Sequence, residues 1–204
     1  MVADAHLGYA WAQRRRGELG PLADGGMAEK LHALLDDLAP QELVFLGDVV
    51  HAPKPAPGER ALIEAVLGGL AERVPVRVVR GNHDRSFARD FPNLGLTVES
   101  EYRTGDLVAV HGDRPPAPAS GHTVLGHFHP SVVVLDAAGH KQKLRVFAVS
   151  ETATILPAFS PFAAGFNLRK PWPAELQAWL ETKTRVRTIA VTGTRVVELP
   201  FRKA

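Results

Sequence analysis

The chain has 204 residues, 45% of them hydrophobic, with a formal net charge of +2 and no cysteine. That length suits one domain with an ordinary core, and the lack of thiols excludes disulfides and thiolate metal ligands. No apolar run approaches the ~20 residues that span a bilayer. Met1 to Asp4 carries neither the basic nor the apolar part of a signal peptide, so the expectation is a cytoplasmic protein with no membrane partner.

Met27, Leu31, Leu34, Leu35 and Leu38 recur at helical spacing and mark an amphipathic helix. Leu43 to Leu46 is a short apolar run ending at Gly47, which reads as a buried strand. Pro53, Pro55 and Pro57 predict a stiff loop over 52–58. A second helix is predicted over Ala61 to Arg73, with Leu62, Val66, Leu67 and Leu70 on one face. Val76 to Val79 is a second buried strand, ending at Gly81. This β-α-β-α order argues for parallel strands covered by helices. Later runs are short and rich in β-branched residues: Leu107 to Val110, Thr123 to Leu125, Val132 to Leu135, Leu144 to Val149, Val186 to Val191 and Val196 to Leu199. They predict a more antiparallel sheet, with a C-terminal helix marked by Leu176, Trp179 and Leu180. The expected fold is α/β of the α+β type, a two-sheet β-sandwich flanked by helices. It forms one domain over 1–204, with a site-bearing core over 1–135 and C-terminal strands and helix over 140–204.

Polar residues suited to metals follow these apolar runs. Asp4 and His6 follow Val2-Ala3, Asp48 and His51 follow the first buried strand, and Asn82, His83 and Asp84 follow the second. His111 follows Leu107 to Val110, and His127 and His129 follow Val124-Leu125. Ligands bind outside the carboxyl ends of strands in open α/β sheets, so neighbouring strands would make these residues converge. In Asp4-x-His6 and His127-x-His129, alternate residues of an extended segment face one side. Carboxylate, amide and imidazole donors without sulfur suit Mn²⁺, Fe or Zn²⁺ better than Ca²⁺ or Mg²⁺ alone. A carboxylate such as Asp48 can bridge two ions, and such pairs clamp a phosphoryl centre and acidify bound water. Only three residues precede Asp4, short of the usual strand of about 5–6.

The segments Asp4-Ala5-His6, Gly47-Asp48-Val49-Val50-His51, Gly81-Asn82-His83-Asp84, His111-Gly112 and Gly126-His127-Phe128-His129 resemble the five ordered blocks of calcineurin-like metallophosphoesterases. The stretch from Val2 to Gly8, with Gly126 to Pro130 and Leu156 to Phe159, is similar to bacterial ligase-associated metallophosphoesterases. These are encoded beside a DNA helicase and a DNA ligase and are associated with manganese-dependent DNA endonuclease activity. The resemblance implies two divalent ions, preferentially Mn²⁺, and a DNA substrate. Asp4, His6, Asp48 and His129 would hold one ion. Asp48 would bridge to a second, held also by Asn82, His111 and His127. His83 would act at the scissile phosphate, and Asp84 would orient His83 by accepting its hydrogen bond. Functional association with a helicase and a ligase is implied as well.

Other residues keep two readings. His51 either faces substrate or supports the metal residues, against a loop role. Arg80 either meets phosphate or forms an ion pair. Arg14 and Arg15, with Arg16, either line a DNA path or cover a solvated helix face. Further basic clusters lie at Arg169-Lys170, Lys183 to Arg187 and Arg202-Lys203. Trp172 and Trp179 either stack bases or pack the C-terminal helix, and packing fits their spacing better. Leu156 to Phe166 reads as core packing beneath the site. The alternative activity is a phosphodiesterase or phosphatase for a small nucleotide, and the oligomeric state is open.

Overall fold

The computed structural model describes residues 1–19, 26–116, 121–180 and 185–200. Helices α1 (Tyr9–Arg15) and α2 (Met27–Leu38) precede strand β1 (Leu43–Leu46). Helix α3 (Pro57–Ala71) joins β1 to β2 (Val76–Val79), and the short α4 (Phe87–Asp90) joins β2 to β3 (Thr97–Glu99). Strands β1, β2 and β3 pair in parallel. Alternation along β1 explains its burial on both faces. Leu43 and Phe45 pack with Leu31, Leu35, Ile63, Leu67 and Leu70 of the helices. Val44 and Leu46 instead pack with Ala3, Val79, Ala109 and Val124 between the two sheets.

The N-terminal segment runs along β1 and then along the loop that follows it. Val2 N–H donates to Val44 O, Leu46 N–H to Val2 O, His6 N–H to Asp48 O and Leu7 N–H to Val49 O. The lacing runs on both sides of Asp4 and so fixes its register.

The second sheet contains β4 (Tyr102–Thr104), β5 (Leu107–Val110), β6 (His122–Leu125), β7 (Pro130–Leu135), β8 (Lys141–Val149), β9 (Ala153–Ile155) and β10 (Phe166–Asn167). Helix α5 (Ala174–Trp179) leads to the last strands, β11 (Arg187–Thr192) and β12 (Arg195–Leu199). The strand order is β10-β7-β8-β9-β6-β5-β4, with β11 pairing β8 and β12. The sheet is mixed: β5–β6, β6–β9 and β7–β10 are parallel, whereas β4–β5, β7–β8, β8–β9, β8–β11 and β11–β12 are antiparallel, so it is the more antiparallel of the two sheets, as the sequence predicted. Parallel β5 and β6 both end at the same edge, and that edge carries His111 and His127. Trp172, Leu176, Trp179 and Leu180 cover the outer face of this sheet against Val132, Val146 and Ile155. Both indole N–H groups are satisfied inside that layer, Trp172 by Leu168 O and Trp179 by Gly112 O.

The proline-rich stretch is shorter than predicted, because α3 begins at Pro57. Proline is at ease in a first helical turn, where its missing N–H has no partner to lose. Glu59, fully buried, reaches back to accept from Ala56 N–H at 3.1 Å. Lys183, Arg202 and Lys203 lie outside the described residues.

Leu67 is fully buried on α3, whereas Leu62 on the same helix is 40% exposed. Leu67→Ala should destabilise the protein by about 2–5 kcal/mol in urea unfolding, and Leu62→Ala by well under that. Equal losses would mean that this core assignment is wrong.

Candidate metal centre

Among the described residues six non-glycine positions have positive φ, and five of them are Asp4, His6, Asp48, His127 and His129, with φ between 47° and 67°. Left-handed backbone is uncommon outside glycine and is tolerated best by Asn, Asp and His. Each such residue turns the chain sharply, Asp48 just past β1, His127 and His129 between β6 and β7, and Asp4 and His6 between the isolated bridges at Val2 and Leu7. The sequence predicted that alternation along an extended segment would bring Asp4 and His6 to one side. The structure does this instead with two left-handed residues flanking the buried Ala5.

Two donor groups result. Asp4, His6 and His129 offer ligand atoms that all lie within 4.8 Å of one another, and so do Asp48, His111 and His127. Asp4 is fully buried, and its carboxylate accepts from His127 N–H at 3.0 and 3.2 Å. Gly126 makes this close approach possible, because a Cβ there would stand 2.6 Å from Asp4 Oδ2. In the second group His111 Nε2 lies 3.0 Å from Asn82 Oδ1, 3.4 Å from Asp48 Oδ1 and 3.2 Å from His127 Nδ1. His111 Nδ1 donates to Leu46 O at 2.9 Å, which aims Nε2 at this cluster. Asp48 also accepts His83 N–H at 2.9 Å.

The electrostatics fit bound cations. Burial pushes the His6 imidazole down to about 4, against the pull of Asp48 and Asp4, so its ring is neutral and able to ligate near pH 7. Its Nδ1 is buried without a hydrogen-bond partner among the described residues. His129 Nε2 is likewise unbonded, although it lies 3.3 Å from Asp4 Oδ1. Burial opposes protonation of His111, but Asp48 and Asp4 outweigh it and raise the ring to about 9. Burial also works against the Asp48 carboxylate, yet His111 and the His83 amide hold it far below the usual range. A positive charge is thus demanded at this spot, and a proton on His111 supplies it when no metal does. The oxygen and imidazole donors, the orphaned ring nitrogens and this charge demand all suit divalent ions.

The crevice also gathers His51 and His83. Their rings stand 5.5 and 5.1 Å from the His6 ring, and the three side chains form another group with ligand atoms within 4.8 Å. His83 does not bond to Asp84 as the sequence led one to expect. Its Nδ1 donates to the His51 carbonyl at 2.6 Å, and since a carbonyl only accepts, that nitrogen carries the hydrogen. The buried Asp84 carboxylate instead accepts backbone N–H groups of Val49, Val50 and Gly81. It braces the two loops that present Asp48 and His83. Burial and the neighbouring Asp48 raise Asp84 to about 6 despite those bonds.

Arg14 and Arg15 sit in the last turn of α1. Arg14 lies 5.6 Å over the Trp11 ring, and Arg15 is 3.7 Å from the buried Glu59. Arg80 is exposed and lines a cleft of about 540 Å³ beside Asn82 and His111. Arg85 and Arg114 line the same cleft, and sequence reasoning missed both. Their signal was adjacency, since Arg85 follows Asp84 and Arg114 lies just beyond His111.

Residues 1–152 match the calcineurin-like phosphoesterase family. The chain belongs to that family, and it is a metal-dependent hydrolase of phosphoester bonds. Among solved structures it is similar to the Pseudomonas putida nuclease MPE, with a TM-score of 0.69 and 24% identity over 97% of this chain and 86% of that one. It is also similar to Yfce, a phosphoesterase from E. coli, with a TM-score of 0.46 and 19% identity over 81% of each chain. The first of these is a likeness of fold. A comparison with curated proteins finds no match.

A pH dependence follows from His111. Its stabilising proton is fully present below the ordinary value of 6.5 and is lost as pH rises through about 9. The shifts of His6 and Asp84 act below that window. In EDTA the melting temperature should fall from pH 6.5 to 9. Excess Mn²⁺ should reverse the slope, because metal binds the deprotonated ring. The N-terminal ammonium, pushed by burial below its ordinary value of 8.0, acts in this window with the opposite sign, so the comparison is with His111→Gln: an identical profile in that variant would refute the charge assignment.

Proposed function

We propose that this hydrolase cleaves phosphodiester bonds in DNA as a manganese-dependent endonuclease in repair. The observation that carries the polynucleotide reading is the cleft beside Asn82 and His111. Arg80, Arg85 and Arg114 line it, and none of the three forms an ion pair among the described residues. Of its acids, Glu101 already pairs with Arg103, which leaves Asp113 against three guanidinium groups. Unspent arginines along a groove suit a chain of phosphates better than a single one. The likeness of Val2 to Gly8 and Gly126 to Pro130 to ligase-associated enzymes supports DNA and Mn²⁺, and a cytoplasmic setting alongside a DNA helicase and a DNA ligase. The Pseudomonas putida nuclease shows that a nuclease is built on this fold.

In this reading Asp4, His6, Asp48 and His129 hold one ion, and Asp48, Asn82, His111 and His127 hold the other. When bound, the ions polarise the phosphoryl group and lower the pKa of coordinated water. Asp48 belongs to the second donor group, and its backbone carbonyl accepts the N–H of His6 from the first, which ties the two together. His83 is held by its Nδ1 bond to His51 O; its doubly protonated form presents Nε2–H to a phosphate oxygen and passes that proton to the leaving oxygen, returning to the neutral ring. Asp84 keeps the Asp48 and His83 loops together through the backbone. His51 acts through its carbonyl on His83 and its ring beside His6.

The test is nicking of supercoiled plasmid and cleavage of labelled single-stranded DNA with Mn²⁺, Mg²⁺, Zn²⁺ or EDTA. Mn²⁺-dependent cleavage, abolished in Asp48→Asn with loss of bound metal, is the expected result. His83→Ala should keep its metal content and lose about 10²–10⁴ in turnover on DNA. It should lose less on bis-p-nitrophenyl phosphate, whose leaving group needs little protonation. Hydrolysis of that ester alone would overturn the DNA reading in favour of a small-nucleotide phosphodiesterase or phosphatase.

A further inference from the structure

On the side of the centre marked by His129, a second recess of about 160 Å³ opens between β7, β8 and the loop that precedes β10. Ser131, Lys143 and Arg145 line it together with His129, and no acidic residue does. Ser131 is 1% exposed, and its Oγ is buried without a hydrogen-bond partner among the described residues. A buried hydroxyl left unpaired is costly and rare, so its presence in a polar recess marks an expected ligand atom. Arg145 lies directly across the ladder from Ser131. It is exposed, and among the described residues its guanidinium has no acidic partner.

Lys143 has a different task. Its ammonium donates to the carbonyls of Ala164 and Gly165 and so ties the loop to the edge of the recess. Two of its three N–H donors are engaged, and one is left. The loop is pinned on its other side as well, by Phe166 N–H to His129 O and Ser160 N–H to Asp4 O. Gly165 has φ of 67°, and a Cβ there would meet His129 O at 2.7 Å and Ser131 Oγ at 3.3 Å. The wall is therefore built close around Ser131 by residues that also hold the metal-binding turn.

The volume is below the ~300 Å³ at which pockets take drug-sized ligands, so the recess accepts a small group and not a nucleoside. A hydroxyl, a guanidinium and an ammonium with no carboxylate nearby form a receptor for a tetrahedral oxyanion. We propose that Ser131, Arg145 and Lys143 form a subsite for the phosphate next to the scissile one on the same nucleic-acid strand. This rests on the polynucleotide reading above. It places phosphate contacts on both sides of the centre, with the arginine cleft on the His111 side and this recess on the His129 side.

The test compares a labelled single-stranded oligonucleotide with bis-p-nitrophenyl phosphate, which has one phosphate and cannot fill the subsite. For Arg145→Ala, KM on the oligonucleotide should rise about tenfold with little change in kcat, as expected for one lost charge-assisted contact. The slope of log KM against log salt should weaken by about 0.7, the share of one phosphate contact on a single strand. Arg145→Lys should restore the slope because it keeps the charge. Ser131→Ala should raise KM without altering the slope. Turnover of the small ester should be unaffected by any of the three. Oligonucleotide kinetics unchanged in Arg145→Ala would overturn the subsite alone. Equal losses on both substrates would also overturn it, since they would show a structural role. Failure of the unmodified enzyme to cleave any oligonucleotide would overturn the subsite together with the polynucleotide reading.

Discussion

Asp48 ties together three parts of the chain that are far apart in sequence. Its backbone carbonyl accepts the His6 N–H, its carboxylate accepts the His83 N–H, and His111 Nε2 stands 3.4 Å from the same carboxylate. The N-terminal segment, the end of β2 and the end of β5 thereby meet at one buried acid. Asp4 and Asp84 are buried close by. Carboxylates this close in a poorly hydrated crevice raise one another's cost, and they persist only where opposite charge or many donors balance them. Asp84 is balanced by three amides, whereas Asp4 and Asp48 share imidazoles with the space between them. The crevice therefore calls for positive charge, which a proton on His111 or a bound cation would supply.

The layers exist to bring strand ends to that crevice. β1 and β2 point the same way in one sheet, and β5 and β6 point the same way in the other. Small residues between the sheets, Ala3, Ala109 and Val124, let the two edges approach. The outer layer takes part as well. The Trp179 indole holds the Gly112 carbonyl, so α5 steadies the turn that follows His111 from the far side of the sheet.

Much of this was legible in the sequence. The apolar run Leu43 to Leu46 coincides with a strand buried on both faces, and Val76 to Val79 does so too although the half-buried Arg77 interrupts it. The convergence of Asp4, His6 and His129, and of Asp48, His111 and His127, was legible because most of these residues follow short apolar runs. What escaped depended on backbone conformation or on tertiary pairing. Left-handed φ at Asp4 and His6 is invisible in residue type alone. The partner of His83 turned out to be a main-chain carbonyl, and no side-chain motif encodes one. Pro57 reads as a loop residue by type, yet it opens α3. Arg145 sits 16 positions beyond His129 and reaches Ser131 only through the register of β7 with β8, which sequence spacing does not reveal.

The left-handed turns restrict what evolution or a designer can put at the centre. A position such as His129 is limited by ligand chemistry and again by backbone sterics. Glu, Gln or Cys could supply a donor atom there, but each has less tolerance for that conformation than His, Asp or Asn. Exchange of one metal-binding residue type for another is therefore narrower than coordination chemistry alone allows. It also follows that Asn and Gly, not branched or bulky residues, are the replacements by which the centre can be emptied while the loops around it keep their shape.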